Sequence, residues 1–348
     1  MTIKDVAKRA GVSPATVSNV INGTKFVSDD RKERVARAIR ELDYHVDYFA
    51  SSMKKKRTHT IGVVLPTLNL IFTTQMINGI QSVISNNDYR LIFYASDNNL
   101  EKETRSIYTL VNSRVDGIIL DTVASEKKDA EYLQKLANLR SGNKDIPLVS
   151  IERNLVKYGI VSVHTDNVLG GEMAMGHLMD CGCKRIALIT GPTFSDLVLG
   201  RIEGYRNVLE KMSIPYDPDL IVKGDFTPLS GFRAVHHLLR ENIHFDAIFA
   251  CNDEMAVGAM KALLDRDFLV PDDIKLMGFD NTFASSLVTP QISTINVPKF
   301  RIGSASASIL IDLIRGKTHP LSCNVPISPI VRGSTIKGKS TDWELEGW

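Results

Sequence analysis

Ile3, Val6, Ala7 and Ala10 recur at i, i+3, i+4, i+7, an apolar stripe that predicts a short helix opened by Thr2, with Asp5 three residues on to complete a capping box. Gly11 ends that helix. Ser13 is placed as the next N-cap with Pro14 at the first helical position, where its missing N–H is not needed, and Val17, Val20 and Ile21 give the second helix a buried side. Its opposite face carries Ala15, Ser18, Asn19 and Asn22 at helical spacing. After Gly23 and a short basic turn, Ser28-Asp29-Asp30 opens a third helix in which Val35, Ile39 and Leu42 fall at i, i+4, i+7. Two helices joined by a tight turn and closed by a third predict a helix-turn-helix domain. The small polar face fits a major groove about 12 Å wide and offers amide and hydroxyl groups to base edges.

From Thr60 the period changes to short β-rich apolar runs alternating with helical stretches, which predicts parallel sheets with crossover helices. The pattern occurs twice: Ile61-Gly-Val-Val-Leu-Pro66 is echoed by Ile186-Ala-Leu-Ile-Thr-Gly-Pro192, and Asp116-Gly-Ile-Ile-Leu-Asp121 by Asp246-Ala-Ile-Phe-Ala-Cys-Asn252. Two similar α/β lobes follow, and a pair of lobes makes a cleft at the carboxyl ends of their strands. Polar residues stand where those runs end: Asp121, Glu152-Arg153, Asn252-Asp253 and Asp280-Asn281. With Phe72 and Phe226 as flat apolar walls, carboxylates, amides and Arg around one cleft suit a polyhydroxylated ligand.

Charge sharpens the picture. Residues 1–58 hold 13 Lys and Arg against 7 Asp and Glu, whereas the remainder holds 29 against 33. A basic head on an acidic body predicts a polyanion bound at one end, with salt-sensitive affinity from released counterions. Hydrophobic content of 43% over 348 residues is that of a globular chain of two or three domains. No apolar run has the length of a membrane span and the N-terminus lacks the apolar core of a signal peptide, so a cytoplasmic location is expected. The four cysteines, Cys181, Cys183, Cys251 and Cys323, suit reduced thiols. Cys181-Gly-Cys183 has no second ligand pair, so neither metal nor cofactor is expected.

The motif Ile3-Lys-Asp-Val-Ala-Lys-Arg-Ala-Gly-Val-Ser with Ala15-Thr-Val-Ser and Asn22 resembles the DNA-binding headpiece of the lactose/galactose-repressor (LacI/GalR) family of bacterial transcription regulators. The resemblance implies an all-α helix-turn-helix headpiece followed by an α/β two-lobed periplasmic-binding-protein-like core of two parallel-sheet, Rossmann-like subdomains. It implies Pro14, Ala15, Ser18 and Asn19 as base readers, Ser13 and Thr16 near phosphates, and Thr2, Asn22 and Phe26 on the DNA side. Where the family very often has Arg, this chain has Asn19, and an amide prefers adenine where Arg prefers guanine. Val46 to Thr58 resembles the family's hinge helix, with Asp47 as its cap. Met53 then stands at the minor-groove wedge, with Lys54, Lys55 and the basic residues after them on phosphates. So short a helix is marginal in water and is expected to form only when two copies meet on DNA.

Thr60 to about Thr335 resembles the family's core through Asp166-Asn167, Arg201-x-x-Gly204, Gly224-Asp-Phe226, Asn252-Asp253 and Gly278-Phe-Asp280. In relatives, positions matching Phe72, Arg201, Phe226, Asn252 and Asp280 contact effector. Together with Asp121, Glu152 and Arg153 they form the expected effector set. The expected domains are a headpiece at 1–45, a hinge at 46–59, a core at 60–336 and a polar tail at 337–348. The core lobes would be 60–163 plus 292–325, and 164–291 plus 326–336. The tail has no leucine heptads, so no tetramerising coiled coil is expected. Trp343 and Trp348 have no assigned role.

The implied function is a ligand-responsive regulator, a repressor acting as a homodimer on a pseudo-palindromic double-stranded operator under a sugar-like effector. Gly224-Asp-Phe-x-Pro-x-Ser-Gly231 also resembles the purine-repressor branch, which keeps a nucleobase effector open. Carboxylates in a cleft also fit a glycosidase, but the basic head would then have no purpose. A transport-type binding protein conflicts with the same head and the missing export signal.

Overall fold

The computed structural model describes residues 1–22, 25–44, 57–68, 71–192 and 195–341, with the side chain of Asn22 also left out. Residues 46–56 of the expected hinge, with Met53, Lys54 and Lys55, lie outside the described residues, as do Trp343 and Trp348; residues 57–59 are described and are not helical. The chain forms two compact units, Met1–Thr58 and His59–Trp348.

In the first unit α1 (Ile3–Ala10), α2 (Pro14–Asn22) and α3 (Asp29–Glu41) surround a core of Val6, Ala7, Ala10, Val17, Val35 and Ala38. The Asp5 carboxylate accepts from Thr2 N at 2.8 Å and Thr2 Oγ1 at 2.9 Å, which satisfies donors the helix start leaves open. Gly11 adopts φ 63° at the C-terminal end of α1. There Arg34 of α3 donates Nη2 to the Ala10 and Gly11 carbonyls at 2.8 and 3.1 Å. A Cβ at Gly11 would meet that guanidinium, so both conformation and space call for glycine.

The second unit begins with β1 (Thr60–Leu65), α4 (Ile71–Ser85), β2 (Arg90–Ala95), α5 (Leu100–Asn112), β3 (Gly117–Leu120) and α6 (Ala130–Leu136). A small hairpin, β4 (Arg140–Ser141) and β5 (Lys144–Asp145), precedes β6 (Leu148–Ile151) and β7 (Val161–His164). The chain then builds a second lobe from α7 (Asn167–Asp180), β8 (Ile186–Thr190), α8 (Asp196–Lys211), β9 (Ile221–Lys223), α9 (Pro228–Arg240), β10 (Ala247–Ala250), α10 (Asp253–Leu264), β11 (Lys275–Met277), α11 (Ala284–Leu287) and β12 (Thr294–Asn296). It crosses back for α12 (Lys299–Ile314) and β13 (Ser322–Asn324), then returns for β14 (Ser328–Ile330).

The first sheet runs β2-β1-β3-β6-β7-β13 and the second β9-β8-β10-β11, all parallel. The echoed sequence runs are thus paired neighbours, with Ile61 opposite Gly117 and Ile186 opposite Ala247. Buried on both faces, β3, β6, β8 and β10 are apolar almost throughout, as parallel strands under helices must be. In each lobe the order reverses beside the first strand, which opens a crevice at the strands' carboxyl ends.

The return to the first lobe comes later than expected from residue 292. β12 pairs antiparallel with β14, and Ser293 bridges to Met277, so Ile292 to Asn296 belong to the second lobe. A short apolar run cannot announce which sheet it joins. Arg332, fully buried, ties this region together by donating to Ser285 Oγ, the Ile292 carbonyl and Asn281 Oδ1 at 2.8–2.9 Å.

α9 and α10 meet backbone to backbone through Gly231 and Gly258, where an added Cβ would overlap the Met255 and Pro228 carbonyl oxygens respectively. Gly258→Ala is therefore expected to destabilise the protein by about 1–3 kcal/mol through overpacking, although the same change in an open helix gains about 0.5–1 kcal/mol. The melting temperature of the full chain reads the sign, and an unchanged or raised value would show that the crossing opens freely.

Candidate functional site

The crevice between the two lobes of the second unit holds a cavity of about 350 Å³. Phe72, Asp121, Glu152 and Arg153 reach it from the first lobe, and Arg201, Phe226, Asn252 and Asp280 from the second, so all eight expected residues line one space. Their convergence follows from topology. Asp121 follows β3, Glu152 and Arg153 follow β6, Asn252 follows β10, and Asp280 stands three residues past β11. Phe72 and Arg201 sit in the first two turns of α4 and α8, and Phe226 lies between β9 and α9.

Three of these positions hold a backbone that non-glycine residues rarely adopt: Glu152 at φ 63°, Phe226 at φ 69° and Asp280 at φ 100°. Each such residue costs of order 1–3 kcal/mol, and such outliers cluster at sites where side chains are held for a purpose.

Arg201, 4% exposed, is the hub on the second-lobe side. Nε donates to Asn167 Oδ1 at 2.9 Å, Nη1 to the Cys251 carbonyl and Nη2 to Asp280 Oδ1 at 3.2 Å, while its carbon lies 3.7 Å from the Phe279 ring centroid. Arg153 is the hub opposite. It donates to the Thr122 and Ala124 carbonyls at 3.1 and 2.9 Å and pairs with Asp196 at the start of α8, so it bridges the lobes. The 122–124 loop is itself held by buried Glu103, which accepts from Thr122 Oγ1, the Val123 N–H and the Tyr132 hydroxyl at 2.6–2.7 Å.

Asn252 caps α10 through Met255 N at 3.0 Å and spends its amide on the Phe226 carbonyl at 3.0 Å and Glu254 Oε2 at 2.8 Å. Lys299, buried at the crossover into α12, donates to the Asp280 and Asn281 carbonyls at 2.6 and 2.8 Å, a second polar tie between the lobes.

Burial pushes the Glu152 carboxyl up to about 7, and the charge of Asp280 adds to it against the pull of Arg201 and Lys299. Burial, with Asp280 and Asp253 nearby, pushes Glu254 up to about 8. Asp253 rises to about 7 for the same first reason, with Asp280 again adding. Burial raises Asp280 although Arg201 opposes it, and raises Asp121 well above the usual carboxylate range with help from Glu152. Glu254, Asp225, Asn98 and Thr122 also line the cavity and were missed in the sequence. Glu254 offered a signal, standing two residues after Asn252 in the first turn of α10, where an acid otherwise reads as dipole compensation.

In the headpiece, Ser13 Oγ accepts from Thr16 N at 3.1 Å and pairs with Thr16 Oγ1 at 2.9 Å, so both residues serve the start of α2. Thr2, Ser13, Pro14 and Ala15 are exposed, Phe26 is 94% exposed, and Thr16, Ser18 and Asn19 are half-buried, less open than the helical wheel suggests. Among the described residues no group of three or more His, Cys, Asp or Glu is arranged to hold a metal, no helix is long and apolar enough to cross a membrane, and the four cysteines are unpaired with one another.

A three-helix headpiece of this geometry with a two-lobed core around a cavity edged by charged and amide side chains defines a ligand-responsive DNA-binding regulator. Residues 2–47 match the description bacterial regulatory proteins, lacI family, and residues 175–335 match the periplasmic binding protein-like domain. The HTH-type transcriptional repressor PurR of Histophilus somni (strain 2336) is 33% identical over 92% of this chain and 95% of its own, and that of Proteus mirabilis (strain HI4320) 34% identical over 98% and 99%. Among solved structures, the lac repressor dimer bound to operator and the anti-inducer ONPF has TM-score 0.87 at 28% identity, covering 96% of this chain and 99% of that one. The complex of transcriptional regulator CelR with cellobiose has TM-score 0.70 at 30% identity, with the same coverage. The chain belongs to the lacI family of bacterial regulatory proteins. It is a ligand-responsive, sequence-specific DNA-binding transcriptional regulator.

Proposed function

We propose that the protein is a repressor that binds a pseudo-palindromic operator as a homodimer and is released or recruited by a sugar or sugar derivative in the interlobe cavity. The observation that carries this is the convergence of eight polar and aromatic residues, four from each lobe, on one space of about 350 Å³. Two Phe walls offer a stacking face, and the Asp, Glu, Arg and Asn groups around them match a ring of hydroxyls. Among the relatives that are transcriptional regulators, the one solved with cellobiose supports a saccharide-type effector. Since those relatives are regulators, the carboxylates are read as binding groups and not as the acid and base of a hydrolase.

A nucleobase effector is the second reading, favoured by the stretch Gly224 to Gly231 and by the PurR relatives. A thermal-shift screen of sugars, phosphosugars and purines separates the two, because a ligand that binds only the folded state raises the melting temperature. A saccharide hit supports the first reading. Purines alone raising the temperature would overturn it.

Pro14, Ala15, Ser18 and Asn19 are assigned to base edges and Ser13 and Thr16 to phosphates, with Thr2, Asn22 and Phe26 on the DNA side. Met53 keeps its proposed role as the minor-groove wedge, and Lys54 and Lys55 theirs on phosphates. Asn19→Arg is expected to move the preferred base from adenine towards guanine, with each good bidentate pair worth about 1–3 kcal/mol of discrimination. Selection from a random duplex library reads this, and an unshifted motif would remove Asn19 from the readers.

A further inference from the structure

Two carboxylates in the cavity have an oxygen with nothing to accept from. Glu152, 3% exposed, reaches it from the first lobe and Glu254, 6% exposed, from the second; Oε1 of each is buried without a hydrogen-bond partner. A buried unpaired acceptor is destabilising, and more so when charged, so two in one cavity define what a ligand must bring.

The cations of the site do not answer them. Nε, Nη1 and Nη2 of Arg201 all donate within the protein, Arg153 is held by two carbonyls and Asp196, and Lys299 by two carbonyls. Against two guanidinium groups the lining carries Asp121, Glu152, Asp225, Glu254 and Asp280. A neutral hydroxyl would satisfy a lone pair but do little for the ionised carboxylates, whereas an ammonium group satisfies the lone pair and stabilises the charge as well. A phosphate or carboxylate on the ligand would add repulsion.

We propose that the cavity takes a cationic effector, a polyhydroxylated molecule carrying a protonated amine with Glu152 and Glu254 as its charge partners, and that it rejects phosphorylated and carboxylated molecules. This rests on the reading of the cavity as a saccharide-type effector site. The elevated carboxyls of Glu152 and Glu254, about 7 and 8, accord with it, since the protein alone leaves their ionised forms unsupported and an ammonium partner would favour those forms.

The test uses the full chain with glucosamine, galactosamine and mannosamine, the matching neutral hexoses and their 6-phosphates, by thermal shift and calorimetry. At least one amine should bind tenfold or more tightly than its neutral counterpart, the 6-phosphates should give no shift, and Glu254→Gln or Glu152→Gln should erase most of that preference. A neutral hexose or 6-phosphate binding as tightly as its amine would overturn the inference while leaving the saccharide reading in place. A preference unchanged in both Gln variants, or no shift with any amine, would also overturn it. Purines binding where every saccharide fails would overturn that underlying reading as well.

Discussion

Arg201→Ala abolishes the effector response and lowers stability by about 3–5 kcal/mol, the usual result of removing one partner of a buried ion pair. All three guanidinium nitrogens are engaged, and its flat face lies against Phe279. Without it the Asp280 carboxylate, already raised by burial, loses its only ion-pair partner among the described residues, and the Asn167 and Cys251 oxygens lose their donor. Arg201→Lys should rescue only part of this, because an ammonium cannot reach three acceptors in a plane. Denaturant unfolding and ligand calorimetry on both variants check it. A stable Arg201→Ala protein with unaltered ligand affinity would remove Arg201 from the site.

The ligand-free protein melts higher at about pH 5.5 than at about pH 8.5, by several degrees. Glu152 and Asp253 are pushed up to about 7 and Glu254 to about 8, above their ordinary values of 4.5, 3.8 and 4.5. The folded state therefore holds protons that the unfolded chain has released. That stabilisation is complete below the ordinary carboxylate range and is lost as pH rises through about 7 to 8. The carboxylates of exposed Asp5 and Asp29 and of half-buried Asp312 are shifted downward by their partners, so they titrate below this window and leave its sign alone. Melting curves across the interval check it; a flat or rising profile would show that these carboxyls are ionised without cost. An effector that supplies donors to Glu152 and Glu254 should flatten the slope.

The cavity was largely readable because parallel-sheet topology gives a local rule. A polar residue directly after an apolar β run stands at a carboxyl strand end, and Asp121, Glu152, Arg153 and Asn252 are all such residues. The headpiece was readable for a similar reason, since Thr2, Asp5, Gly11 and Ser13 make bonds within three or four residues of themselves. What stayed hidden depends on distant partners. Lys299 after Pro298 looks like an ordinary surface lysine, yet it is 3% exposed because Asp280 and Asn281 turn two carbonyls towards it. Asp196 gives no local hint that Arg153, 43 residues earlier, will reach it across the cleft. The lobe membership of β12 is likewise set by β14, more than thirty residues on.

These ties suggest how the cavity can govern DNA binding. Arg153–Asp196 and Lys299–Asp280 join the lobes around the ligand space, so a ligand that favours one arrangement of the lobes shifts their populations by its difference in affinity. If that arrangement sets whether two headpieces reach their half-sites together, operator and effector affinities change by the same factor.

The most direct test measures operator affinity by fluorescence anisotropy, with and without the compound that raises the melting temperature, and then that compound's affinity with and without operator. Coupling between the two sites gives a change of tenfold or more in each direction, equal within error. Identical affinities in both pairs of titrations would contradict it.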